Sequence, residues 1–174
     1  KDKKSETIES IAQLYDLAAS SADGESQQVN YRMSRAKFDR DFVEDGSLEA
    51  AVKLYQEILA SQHLRSVPLT DEEAGGATQA SQVAEKMIDE VKKVKPEAYE
   101  VFEKESSDAL QAAGNDPALL KSVADTYPNS TAASKAMITA ADAFEAQGNQ
   151  RLAAYTRRQA YNKYGDTADK PRLL

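Results

Sequence analysis

Residues that could do chemistry are sparse in this chain. There is one histidine, His63, and no cysteine. Sites with two or three histidines, H-E-x-x-H helices and paired E-x-x-H di-iron sites are therefore impossible within one chain. Thiolate zinc sites, iron–sulfur clusters, disulfides and cysteine nucleophiles are excluded too, and the redox compartment stays open on this test. His63 falls near a helix end, where a partly exposed imidazole meets the helix dipole, and that reading outweighs a catalytic base.

The acidic run Asp39, Asp41, Glu44, Asp45, Gly46 has a faint calcium-loop spacing. Starting the loop at Asp41 puts Gly46 at its sharp turn, but Val43 then takes a ligand position and Val52 replaces the closing glutamate. A polar helix end is the better account. Gly75-Gly76 lacks the lysine and the strand context of a phosphate loop, and no G-x-S-x-G elbow exists. Asn129-Ser130-Thr131 is a glycosylation sequon, but its place after Tyr127-Pro128 favours a helix cap. Surface charge explains the many carboxylates. With no nucleophile, base and orienter to assemble, the chain is not read as an enzyme, and no catalytic, cofactor or metal residues are assigned.

Tyr155, Arg157, Arg158, Tyr161, Lys163 and Tyr164 interleave aromatic and basic residues. They could stack on bases or grip an acidic peptide. The weightier reading is that tyrosines at helical spacing belong to the core and the cations to solvent.

The elements that must carry these residues are helices. Ile8, Ile11, Leu14, Tyr15 and Ala18 predict a helix from Thr7 to about Ala19, with a loop over 20–27. Val29 to Glu44 predicts a second, closed by Asp45-Gly46, with Ser47 as the next cap. Leu48, Ala51, Val52, Tyr55, Ile58 and Leu59 predict a third, ending near His63. A longer loop spans Val67 to Ala77, within which Thr70-Asp71-Glu72-Glu73 has capping-box spacing. Val83, Met87 and Val91 mark a helix to about Val94. Lys95-Pro96 starts another, which runs to Gly114. Asp116-Pro117 reads as cap and first position of a short helix ended by Pro128, and Asn129-Ser130-Thr131 caps the next. The turn at Gly148-Asn149 leads into the last helix, which stops before Gly165. No segment alternates with period two over a useful length. The expected fold is all-α, with about eight antiparallel helices joined by short turns.

Composition agrees. The chain has 174 residues, 41% hydrophobic and 29% charged, with only 7 glycines and 5 prolines. Such a chain can bury one sizeable core or stack one run of repeats. A net charge of −7 disfavours nucleic acid, which needs a basic field. From Gln150 to Leu174, however, six basic residues face two acidic ones, a net +4 that leaves −11 for the rest. This basic end suits an acidic partner or a following domain, or is a solvated helix face. No apolar run approaches a bilayer span, so a soluble chain is expected. The start at Lys1-Asp2-Lys3-Lys4 reads as a processed or cut chain. The closing Leu173-Leu174 reads as a cut through a longer protein.

A repeat emerges on this background. From Ser134 to Tyr164 the chain reads helix, Gly148 turn, helix, with small residues at Ala141, Ala153 and Ala160 and an aromatic at Phe144. That resembles a tetratricopeptide unit, although Arg157 replaces an aromatic and the closing proline is missing. Arg35 to Leu59 matches more weakly, with Asp39 where a small residue belongs. Ala98 to Tyr127 is a third unit, with a shortened second helix. The expected organisation is one helical-repeat domain over 1–174, irregular over 1–69 and repeat-like over 78–165.

From about Leu48 to Tyr164 the order of features also resembles the N-terminal helical region of planctomycete-type envelope proteins with a PQQ-binding-like β-propeller. L-E-A-A-V-K-L-Y-Q-E-I-L (Leu48 to Leu59), V-K-P-E-A-Y (Val94 to Tyr99) and A-G-N-D-P-A-L-L-K-S-V-A-D-T-Y-P-N-S (Ala113 to Ser130) carry the similarity. It implies an exported bacterial protein, a periplasmic or cell-envelope location, and a propeller outside these residues.

The expected function is a non-catalytic interaction or scaffold module. Its partner is a protein or peptide segment, its own C-terminal domain included. The alternative is a structural spacer or oligomerisation domain. The outward face of Ser134 to Ala146 would be the binding wall, with Lys135, Asp142 and Glu145 as contacts and Arg157 and Arg158 beside them.

Overall fold

The computed structural model describes residues 3–42, 47–71 and 76–165. Among these the chain is all-α with one small hairpin. The helices are α1 (Lys3–Ser20), α2 (Glu25–Phe42), α3 (Ser47–Ala60), α4 (Gln62–Arg65), α5 (Ala80–Val94), α6 (Glu100–Ala113), α7 (Pro117–Thr126), α8 (Thr131–Ala146) and α9 (Gln150–Tyr164). A 3₁₀ turn, Pro96–Tyr99, precedes α6. The Asp45-Gly46 turn, most of the calcium-like run and the ends of the chain lie outside the described residues. Val52 is fully buried, so it could not close a cation loop.

The structure corrects several expectations. The loop expected over Val67 to Ala77 contains an antiparallel hairpin, β1 (Pro68–Asp71) with β2 (Gly76–Gln79), in the register Pro68 to Gln79 through Asp71 to Gly76. Thr70 is therefore a strand residue and cannot open a capping box. The capping box belongs instead to the start of α5, with Gln79 as N-cap and Gln82 three residues on, whose side-chain oxygen accepts from the Gln79 N–H at 3.3 Å and from the Thr78 hydroxyl at 2.7 Å. The loop expected over 20–27 shrinks because α2 already starts at Glu25, with the Gly24 carbonyl accepting from the Gln28 N–H. Its first turn is polar and exposed, so no apolar period announces it. The third helix stops at Ala60, and His63 belongs to the single turn α4, capped by the Ser61 hydroxyl.

Contacts divide the chain into two compact units, Lys1–Tyr99 and Glu100–Leu174. In the first, α1 packs on α2, α2 on α3 and α3 on α5. Val29, Val52, Tyr55, Ile58, Leu59 and Ile88 fill its core. Asp39 lies in that core, 2% exposed, paired with Arg35 one turn earlier on α2.

In the second unit α8 is central, packed against α6, α7 and α9. Ala132, Ala133, Ala136, Ala140 and Ala141 are all buried along it, and these short side chains let several helices approach one backbone. Its N-terminus is held twice: the Ser130 hydroxyl accepts from the Ala133 N–H at 3.2 Å, and the Glu103 carboxylate of α6 accepts from the N–H and hydroxyl of Thr131, each at 3.0 Å. The helix pairs expected from the repeat pattern, α2–α3, α6–α7 and α8–α9, each pack as neighbours. Gly114 (φ +54°) and Gly148 (φ +77°) make two of the turns in the left-handed region that glycine enters without steric cost.

Candidate functional site

Burial of α8 on three neighbours leaves one narrow outward stripe. Lys135, Thr139, Asp142 and Ala146 follow each other at four, three and four residues, so they share that face. Below its lower half is an open concavity of about 450 Å³, lined by Asn115 of the α6–α7 turn, Thr139, Asp142, Ala143, Ala146 and Gln147. The α8 C-terminus forms its floor, because the Gln147 N–H donates to Ala143 O at 3.1 Å and the Gly148 N–H to Glu145 O at 2.9 Å.

Of the lining residues, Asp142 is met from outside the concavity by Arg157 of α9. Its Nη2 donates to Asp142 Oδ1 at 2.9 Å and also pairs with the Glu145 carboxylate. Hydrogen bonds from Glu145 and then Asp142 hold the guanidinium pKa above its ordinary value, so it stays charged. Two carboxylates against one guanidinium leave the cluster one negative charge in excess. All three side chains remain between 30% and 48% exposed, so a ligand can reach them.

The structure thus brings together three of the five residues expected to form the binding wall: Asp142, Glu145 and Arg157. Lys135 is exposed on the same stripe, two turns above Asp142 and outside the concavity. Arg158 is exposed on α9 but turned about 100° from Arg157 around the helix, so the two adjacent arginines serve different surfaces. Thr139, Ala143 and Ala146 lie within the expected Ser134 to Ala146 wall without having been singled out, and Asn115 and Gln147 were missed. The readable signal was the 135/139/142/146 stripe. The contribution of Asn115 depends on tertiary packing alone.

The other candidates separate cleanly. His63 is 82% exposed, with Nδ1 3.6 Å from Glu25 Oε1. The weightier reading of the Tyr155 to Tyr164 cluster fails in part. Tyr164 packs on the core and donates to Pro128 O at 3.2 Å, but Tyr155 is 57% and Tyr161 39% exposed. A smaller recess of about 180 Å³ lies beside Tyr164, between Lys121, Asp125, Gln159 and Lys163. Its Lys121 is engaged by Asp125 at 3.0 Å. Ser130 is the helix cap that the sequon position suggested. Among the described residues, no three histidine or carboxylate side chains converge as metal ligands, and no helix is long and apolar enough to cross a membrane. No protein-family model matches the chain, and neither a curated protein nor a solved structure matches it.

Proposed function

We propose that this chain is a non-catalytic interaction module that binds a protein segment in the concavity beneath the α8 stripe. The observation that carries the reading is an open concavity of about 450 Å³ under the outward stripe of α8, with Asp142 of its lining held in an ion cluster of negative excess. A recess of this size takes one or two side chains of an extended segment. The residual charge of the cluster, and the −7 of the whole chain, favour a segment carrying lysine or arginine. The resemblance to tetratricopeptide units supports peptide binding as the role. The resemblance over Leu48 to Tyr164 supports an exported, envelope-located protein whose own C-terminal region is one candidate ligand.

Selection from a displayed random-peptide library, followed by anisotropy titration of the selected peptides, tests this reading. Selected peptides should carry basic residues. Thr139→Arg, which fills the recess, and the pair Asp142→Ala/Glu145→Ala should each weaken binding by about tenfold or more. Equal affinity in all three proteins would remove the site. Fractionation of source cells tests the location: recovery with the cytosol rather than the envelope or periplasm would count against it.

A further inference from the structure

The aromatic and basic residues of α9 divide between two flanks of the helix. Arg157 turns to Asp142 and Glu145 of α8. On the other flank Leu152, Tyr155, Gln159 and Lys163 follow each other at three, four and four residues, so they form one stripe. Leu152 is 41% and Tyr155 57% exposed, and the Tyr155 hydroxyl accepts from Gln159 Nε2 at 3.0 Å. The stripe ends in the recess of about 180 Å³ between α9 and α7. Lys121 and Asp125 of α7 line it on one side and Gln159, Lys163 and Tyr164 on the other, with the buried Met137 of α8 among the lining. Met137 is turned about 140–160° around α8 from Thr139 and Asp142, so the recess and the concavity lie on different sides of that helix.

Among the described residues that line the recess, two ammonium groups meet one carboxylate, a net positive charge on an acidic chain. Lys121 Nζ lies 3.1 and 3.0 Å from the two Asp125 oxygens, which take at most two of its three N–H donors. Lys163 Nζ stands 5.8 Å from the centre of the Tyr164 ring. All four charged residues of α9 are basic, and Arg151 and Arg158 are exposed on the line next to the stripe. A further carboxylate set between Lys163 and Lys121 completes a row of alternating charge that ends at Asp125. We propose that this groove binds an acidic peptide segment: a glutamate or aspartate carboxylate enters the recess, and an apolar side chain of the same segment rests on Leu152 and Tyr155. From Tyr155 to Lys163 the helix rises about 12 Å. Extended chain covers that distance in about four residues, which sets the spacing between the apolar and the acidic residue of the ligand. A nucleic-acid strand also suits aromatic and basic residues, but Asp125 within the recess and the −7 of the chain oppose it. The site is separate from the concavity beneath α8 and takes the opposite charge, so either can fail while the other holds.

Amide NMR of the isotope-labelled chain, titrated with a capped glycine–serine peptide that carries one leucine and, four places on, one glutamate, tests the proposal. Resonances of Lys121, Asp125, Gln159 and Lys163 should shift together with those of Leu152 and Tyr155. Glutamine in place of the glutamate should weaken binding by about tenfold, and serine in place of the leucine by about threefold or more. Lys121→Gln/Lys163→Gln should lose about tenfold with unchanged circular dichroism. Asp125→Asn removes the resident carboxylate from Lys121 and should tighten binding by about threefold, a gain that a damaged fold would not give. Thr139→Arg, which fills the concavity beneath α8, should leave this titration unchanged. No shift at the recess with millimolar peptide, or equal affinity for the glutamine peptide, would overturn the proposal. Tighter binding of a single-stranded oligothymidylate to the same amides would overturn it in favour of nucleic acid.

Discussion

Arg157 Nη2 lies 2.9 Å from Asp142 Oδ1, joining α9 to the outward stripe of α8 across the Gly148 turn. The pair is partly exposed, so water screens it and its contribution to stability is small. Arg157→Ala should lower the unfolding free energy by no more than about 1 kcal/mol. The same change releases both carboxylates of the cluster. Affinity for a lysine- or arginine-bearing peptide should then rise by about three- to tenfold, read by anisotropy. A fall in affinity would mean that Arg157 itself touches the peptide.

In the first unit the Tyr99 hydroxyl donates to Gln56 Oε1 at 3.2 Å, and both side chains are buried. The Lys92 ammonium sits 4.6 Å from the centre of the Tyr99 ring. Tyr99→Phe keeps the ring and its cation contact but strips the buried Gln56 oxygen of this donor. Urea unfolding should show a loss of about 1–2 kcal/mol with an unchanged slope. A neutral result would mean that water or a rotated amide replaces the hydroxyl.

What could be read in advance depended on how local its cause is. Asp116 and Ser130 cap their helices, and Gly114 and Gly148 turn the chain, because each acts within three or four residues of itself. The hairpin over 68–79 escaped because four-residue strands carry too little alternation to register, and its register is set by pairing across the turn. The exposure of Tyr155 and Tyr161 could not be read from residue type, since a tyrosine at helical spacing serves a core or a surface equally well. The Arg157 cluster joins residues 15 and 12 apart, a meeting fixed only by how α9 folds back on α8. Its members were singled out from the face that they occupy, without the link between them.

Tyr55 gives a pH signature. Burial pushes its phenol from an ordinary 10.0 up to about 12, with smaller influences from nearby Arg40, Asp41 and Glu90. The folded state holds the proton more tightly than the unfolded chain, so this stabilisation is complete below about pH 10 and is lost as pH rises toward 12. A shift of this size is worth about 1–3 kcal/mol. The stability of the parent chain should therefore fall more steeply between about pH 10 and about pH 12 than that of Tyr55→Phe, since groups shared by both proteins cancel in the difference. Parallel slopes would show that the phenol ionises normally in the folded state.

Asp39 occupies the place where the repeat pattern calls for a small residue, yet it is only 2% exposed. Its partner is Arg35, at the spacing that brings two side chains together on one helix face, and Arg35 Nε also lies 3.7 Å from Asp16 of α1. A buried carboxylate tolerates this position only because the guanidinium is buried beside it. Asp39→Ala alone restores the small residue but leaves a largely buried cation with only Asp16, itself 62% exposed, to answer it. The loss should be about 3 kcal/mol. Adding Arg35→Met removes the stranded charge and keeps a long apolar side chain in the same space. The double variant should therefore recover most of the stability, with a coupling of about 2 kcal/mol in the cycle. If the double variant is as unstable as the single one, the carboxylate is required by something other than Arg35, and the ion pair is not what allows α2 to depart from the repeat.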